Sequence, residues 1–526
     1  MSKTSLRKAT FYPSLTLLGG MTILALENSE FLLKITSTIH EFLMNEFSWL
    51  YALSAFALVL VAAGTMFSPI AKLRIGGESA KPILTRWQWC SITLCSSVAI
   101  GLLFFAAAEP IFFMSAPPLT LGAKAFSTES GVNGIASLYM HWSFTTYAIY
   151  TVPALMFAIA HYNLGMKFSI SSAMTAALPI KMGPVTRQII DALALIALVA
   201  GMVASLGTGA MMLGGGINRL FGVEVTDSLI GALCMIVMLA SALSAATGLL
   251  KGIRILSSWN ARALVFMAAL VLIFGPTSFI ANGGIDALGR YLSGFVKNSL
   301  NTGTINGNGW PRAWTLFFWA NWFAWAPVTS MFLGKISRGY TVREFLLFNF
   351  LLPASFVLVW CATFGGLAVF TELNSAHILS QALKNSGPGD VIWVLLEQLP
   401  AALLFVALFL CLSLVSYITA ADSTIDAISG MCCNSSTSSE INSSPYYIKL
   451  IWGAIISIIT LVLTVNGGLE ALKMISTIGG FIGLLIVMCA AASLVRIICW
   501  PTLLPELKGG AILPPLKTPS VRHNDI

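Results

Sequence analysis

The sequence predicts an all-α polytopic membrane protein of twelve transmembrane helices, and three observations carry that expectation. Of its 526 residues 57% are hydrophobic and 10% charged, whereas a soluble globular domain carries about 25% charged residues. The mean hydropathy is +0.85, so lipid is the solvent for most of the chain. The apolar residues also gather into runs of about 20, the length a helix needs to cross hydrocarbon. Twelve such runs are read near 12–27, 47–69, 87–113, 133–160, 188–213, 227–250, 260–280, 312–334, 343–370, 391–423, 447–467 and 474–498.

Twelve spans put both termini on one side. Of the 29 Lys and Arg residues, 21 fall on that side and 8 on the other, which assigns both termini to the cytoplasm. The net charge of +8 is therefore a topology signal, and nucleic acid is not an expected partner. The first apolar run lacks a small-residue cleavage site and reads as a retained helix. The nine cysteines and five histidines show no ligand spacing, so neither disulfide nor metal nor any cofactor is expected. Cys432 and Cys433 lie in a predicted cytoplasmic loop, where palmitoylation is an option.

Taken in order, residues 1–86 read as a cytoplasmic N-terminus followed by two spans. The third span contains "SVAIGLLFFAAAEP" (97–110), small residues followed by the acid Glu109. The fourth contains "HWSFTTYAIY" (141–150), whose Trp142, Tyr147 and Tyr150, with His141, give an aromatic face on a helix. The fifth, "GMVASLGTGAMMLGGGINRLFG" (201–222), is dense in glycine. Glycine weakens helices, so a broken helix facing a cavity is expected there, with small-residue helix packing as the alternative. Between spans seven and eight, 283–300 has apolar residues at helical spacing. It reads either as an amphipathic helix along the membrane surface or as a packed external helix.

The eighth span opens "WTLFFWANWFAWAP" (314–327). Trp314, near Arg312, fits an interfacial anchor. Trp322 and Trp325 lie eight or more residues further in, where an indole N–H in lipid would lack a partner. They should face protein or a cavity. Two opposed aromatic faces make a cage for a cation without hydrogen-bond donors, and quaternary ammonium compounds are the natural guests. Pro327 is expected to kink this helix. The tenth span ends in "SYITAADS" (416–423). The segment 432–444 reads as a flexible polar loop, and the tail 501–526, with its prolines, as mostly disordered. Asp191, Glu109, Glu397 and Asp422 are acids within or at the edge of spans, where proton carriage and structural pairing are both open.

Several of these runs together resemble the betaine/carnitine/choline transporter family. They are "GLLFFAAAEPIFF…SAPP" (101–118), "HWSFTTYAIY", "RQIIDALALIALVAGMVASLGTGAMML" (187–213), "KGIRILS" (251–257), "WTLFFWANWFAWAPVTSMFLGKISRGYTVREF" (314–345) and "SYITAADS". The resemblance implies a leucine-transporter-like core, with spans 3–7 (87–281) and 8–12 (312–500) as inverted repeats joined by the linker 282–311. It implies a homotrimer in the cell inner membrane. It implies an aromatic box from spans four and eight, with Trp142, Tyr147, Tyr150, Trp322 and Trp325 as box or pathway residues. Asn321 stands where the family usually has an indole, and Tyr147 where tryptophan is common, so the box is more polar than usual.

The resemblance also bears on the driving ion. Where sodium-driven relatives carry a glycine-rich third-span motif, this chain reads "SVAIG" from Ser97 to Gly101, with one of three glycines left. In the tenth span Thr419 keeps one of two consecutive hydroxyls and Ala420 replaces the other. Arg254 stands where sodium-independent relatives carry an arginine that occupies the vacated ion site; a topology charge is its alternative. The expectation is a secondary transporter of a quaternary ammonium solute such as choline, carnitine or glycine betaine, proton-coupled or exchanging rather than sodium-driven. The alternative is a same-fold, possibly sodium-coupled carrier of a sulfonium compound or amino acid derivative. No enzymatic activity is expected, because no catalytic residues converge in the sequence. The tail has no long basic helix, so osmotic activation is not expected either.

Overall fold

In the computed structural model the described residues are 5–97, 100–118, 122–178, 182–246, 249–304, 307, 309–434, 445–500 and 507. The expected disordered tail (bar Leu507) and most of the polar loop, 435–444, lie outside them. The described residues are mostly helical, with a two-residue antiparallel pairing of Ser5–Leu6 with Cys433–Asn434 and an isolated bridge between Arg74 and Thr341.

The helices are α1 Lys8–Glu27, α2 Ser29–Glu46, α3 Ser48–Phe67, α4 Arg86–Ser97, α5 Ile100–Ser115, α6 Thr128–Trp142, α7 Phe144–Tyr162, α8 Ile170–Thr175, α9 Pro184–Phe221 and α10 Asp227–Ala246. They continue with α11 Leu249–Phe274, α12 Thr277–Ser299, α13 Phe317–Lys335, α14 Val342–Leu346, α15 Leu352–Asn374, α16 Ile378–Asn385, α17 Val391–Leu396, α18 Ala402–Met431 and α19 Tyr446–Cys499. Among the described residues, eight helical stretches are long and apolar enough to cross a membrane, and Gly101–Ser115 and Asp227–Leu243 are shorter apolar helices. The stretch α19 takes in two of the expected spans, bent at Gly468, whose φ of 55° and ψ of −146° no β-carbon favours.

Two expectations change. The fifth span is not broken: α9 runs unbroken for 38 residues. Its glycines are contact points, because neighbouring helices supply the large groups. A β-carbon on Gly209 would stand 2.7 Å from the Tyr417 ring, and one on Gly216 2.6 Å from that of Trp393. In lipid, close packing of small residues holds helices together, and here that outweighs intrinsic propensity. The break falls in the fourth span, where Ser143 (φ −106°, ψ −121°) separates α6 from α7. The expected tenth span is divided too: a turn through Ala401, with φ at 59°, separates α17 from α18.

The centre is built from α9, α13 and α19, with α7 across the other side of α13. The approach of α13 to α19 is so close that β-carbons on Gly480 and Gly483 would collide with the carbonyls of Ala320 and Phe323. The segment 283–300 belongs to α12, a packed helix: Gly284, Ala287 and Tyr291 are buried, and Gly284's carbonyl accepts from the Tyr139 hydroxyl at 3.1 Å. Its Ile285 and Leu292 remain exposed.

Candidate functional site

The break at Ser143 assembles the site. It ends α6 at His141 and Trp142, so the His141 carbonyl turns outward from the helix. That carbonyl accepts the indole N–H of Trp322 at 3.0 Å and the Thr146 hydroxyl at 2.7 Å. A freed backbone group at membrane depth needs such partners, and one of them comes from α13, 181 residues away.

Around this junction the rings meet. Trp142 and Trp322 are perpendicular with centroids 5.2 Å apart, and Tyr150 stands edge-on to Trp322 at 5.5 Å. Phe318 packs on Trp142 at 5.1 Å and Phe105 at 5.8 Å. The Trp142–Trp322 pair is in edge-to-face contact, so no guest fits between these two rings in this conformation. Toward α8, a cavity between Pro153, Pro327, Ser330 and Ile486 holds about 10 Å³, room for one water.

Behind the rings lies a buried polar hub. Glu109 Oε1 is 2.6 Å from His141 Nδ1, and Glu109 Oε2 accepts the Trp142 indole N–H at 3.0 Å. The other nitrogen of His141 is 2.9 Å from the Thr315 hydroxyl. Glu109 and His141 are both buried, and a buried acid is tolerated only when paired and hydrogen-bonded. The pair fixes the Trp142 ring in place.

The other predicted residues fall as follows. Tyr147 is buried. Gly101 abuts the end of the Trp142 ring, where a β-carbon would be 2.8 Å from Cη2. Trp325, half-buried, lies over Gly201 of α9 and is not in the Trp142–Trp322–Tyr150 cluster. Asn321 points to α19, where its side-chain oxygen accepts from Ser476 at 2.6 Å. Thr419 is buried and donates to its own helix at Val415. The side chains of Ser97 and Arg254 lie outside the described residues. Trp314 is buried against Phe112 and Phe105 and is not an interfacial anchor.

Among the intramembrane acids, Asp191 is bridged by Arg7 at 2.5 Å, tying the N-terminus to α9. Glu397 pairs with Arg219 at 3.1 Å, and Asp422 is buried. Glu372, which the sequence reading passed over, is fully buried; its carboxylate caps α16 through the Leu379 and Ser380 amides. Phe105, Phe318, Thr315 and Ser476 were also missed. Phe318 had a signal, since it lies one turn before Trp322 on the same face; Ser476 had none, because only folding brings α19 beside Asn321.

The family model described as BCCT, betaine/carnitine/choline family transporter, matches residues 9–499. The chain belongs to the betaine/carnitine/choline transporter family. As a member, it is a multi-pass membrane transporter. It is similar to the ectoine/hydroxyectoine transporter of Virgibacillus pantothenticus, with 27% identity over 95% of this chain and 98% of that protein. It is similar to the glycine betaine transporter OpuD of Bacillus subtilis, with 30% identity over 88% of each. An osmo-independent choline transporter of Acinetobacter baylyi shares 27% identity over 88% of this chain and 86% of its own.

Proposed function

We propose that this family member carries a quaternary ammonium or betaine-like solute across the cell inner membrane. The solute's methylated ammonium lodges at mid-membrane among Trp142, Tyr147, Tyr150 and Trp322, while Trp325 and Asn321, turned toward Gly201 and Ser476, stand beside the pathway. Twelve spans in a leucine-transporter-like arrangement, with spans 3–7 and 8–12 as inverted repeats, alternate access by moving one bundle against the other. Both termini are cytoplasmic and the assembly is a homotrimer.

The observation that carries the reading is the meeting of Trp142 and Tyr150, from one buried segment, with Trp322, from another. Ring faces gathered away from water are what a cation without N–H donors needs, each worth about 2 kcal/mol when desolvated. Edge-to-face contact closes the space between these rings, and a guest is admitted by a small rotation of α13 against α7. The names of the relatives, carriers of glycine betaine, choline and ectoine, favour the same substrate class.

Transport proceeds without sodium. Ala420 lacks the oxygen a sodium ligand would supply, and Arg254 brings a charge that repels the ion. Radiolabelled choline, carnitine, glycine betaine and dimethylsulfoniopropionate, offered to proteoliposomes with and without sodium and a pH gradient, test both parts. Uptake of an ammonium compound that is unchanged when sodium is replaced by an impermeant cation is the expected result. Strict sodium dependence ends the coupling proposal, and uptake of none of the four ends the substrate class.

A further inference from the structure

One buried charge beside the box has no part in the reading above. Lys473 lies in the second half of α19, just past the bend at Gly468. Its side chain is 8% exposed, while its ion-pair partner Glu470, 2.9 Å away, is 70% exposed. The ammonium stands 4.4 Å from the centre of the Trp314 ring and 5.5 Å from that of Phe317. A lysine near a helix end ordinarily snorkels toward water. This one lays its charge on an indole, the attraction a methylated ammonium would itself use.

Trp314 is connected to the box. It meets Phe318 at 6.1 Å and Phe105 at 6.4 Å, and both of those rings contact Trp142. Ser476, one turn along α19 from Lys473, donates to Asn321, the neighbour of Trp322. The charge therefore sits at the N-terminal end of the same aromatic chain whose other end is the box.

We infer that Lys473 is a specificity-determining residue: its buried positive charge disfavours guests of net positive charge, such as choline, and spares zwitterions such as glycine betaine and carnitine. The inference rests on the box of the proposed function. The ring-to-ring steps of 4.4, 6.1 and 5.1 Å cap the separation of the Lys473 ammonium from the Trp142 ring centre at about 16 Å. Two unit charges at that separation, with an effective dielectric of about 20, change affinity on the order of tenfold. Glu470 offsets only part of this, because an exposed carboxylate is screened by solvent and salt. In a zwitterion the carboxylate feels an attraction that largely cancels the repulsion of the ammonium. Glu109 acts on each guest in the same way whatever occupies position 473, so comparing the lysine with its replacement for each guest isolates the lysine's contribution.

The experiment is equilibrium binding of choline and of glycine betaine to the purified full-length protein in lipid nanodiscs, for the wild type and for K473M, K473R and E470Q. K473M is expected to raise choline affinity relative to glycine betaine on the order of tenfold. K473R, which keeps the charge, holds the wild-type ratio and shows that the helix tolerates substitution. E470Q, which unmasks the lysine, lowers choline affinity further. A wild type that binds both compounds, with an unchanged ratio in a folded K473M, overturns the inference and leaves the box standing. A wild type that binds neither overturns the box reading and the inference with it.

Discussion

Gly101→Ala tests how tightly the box is held. A β-carbon at position 101 would stand 2.8 Å from Trp142 Cη2, where carbon atoms prefer about 3.5–4.0 Å. Trp142 has little room to yield. Its N–H is bound to Glu109 at 3.0 Å, and its ring touches Phe318 and Trp322. Overpacking of this kind costs about 1–3 kcal/mol. If the strain is relieved by turning the ring, glycine betaine affinity falls roughly 5- to 150-fold; if it is not, the loss appears in thermal stability. Binding followed by tryptophan fluorescence, together with thermal unfolding in nanodiscs, measures both. Trp142→Phe removes Cη2 altogether, so in that background Gly101→Ala should cost nothing, and the double-mutant cycle should show a coupling of about 1–3 kcal/mol. Equal costs in both backgrounds, or no cost in the wild type, would refute the steric argument.

Two more outcomes follow from the packing. Gly483→Ala forces α13 and α19 apart at the Phe323 carbonyl and should destabilise the fold by more than about 3 kcal/mol, read as loss of monodisperse protein in detergent; Gly430→Ala, where no atom lies within 4 Å, is the control and should stay soluble. Burial pushes the Cys432 thiol up from 9.0 to about 12, and the thiolate is the reactive form. Maleimide at about pH 8 should therefore label exposed Cys499 and spare Cys432 until the protein unfolds. Because the folded thiol keeps its proton where the unfolded one loses it, Cys432's contribution to stability is full below pH 9.0 and declines toward about 12. Modification of Cys432 at the rate of Cys499 in the folded protein would contradict its burial.

Much of the site was legible because an indole N–H at membrane depth needs a protein partner and because aromatic residues at helical spacing share a face. Trp322 was singled out on the first ground, Trp142 and Tyr150 on the second, and they meet. Asn321 and Trp325 were read from the same helix but meet other neighbours, Ser476 and Gly201, since Asn321, adjacent to Trp322 in sequence, points away from it, and Trp325, though on the same side of the helix, lies a turn further along, over α9. The glycines of α9 misled for a related reason. Their number signals weak helix propensity, yet their function is set by Tyr417, Trp393 and Leu472 on other helices, which local sequence cannot reveal.

The sequence by itself determined the class of molecule, its largely helical, membrane-spanning character and its aromatic segments, because hydropathy and length are summed along the chain and need no partner. Only tertiary structure decided where the fourth span breaks, which carbonyl the Trp322 indole satisfies, that Glu109 and His141 share one buried hub, and that the Lys473 ammonium rests on Trp314. Those are contacts between segments far apart in the chain, and their energies depend on distance in space rather than on position in sequence.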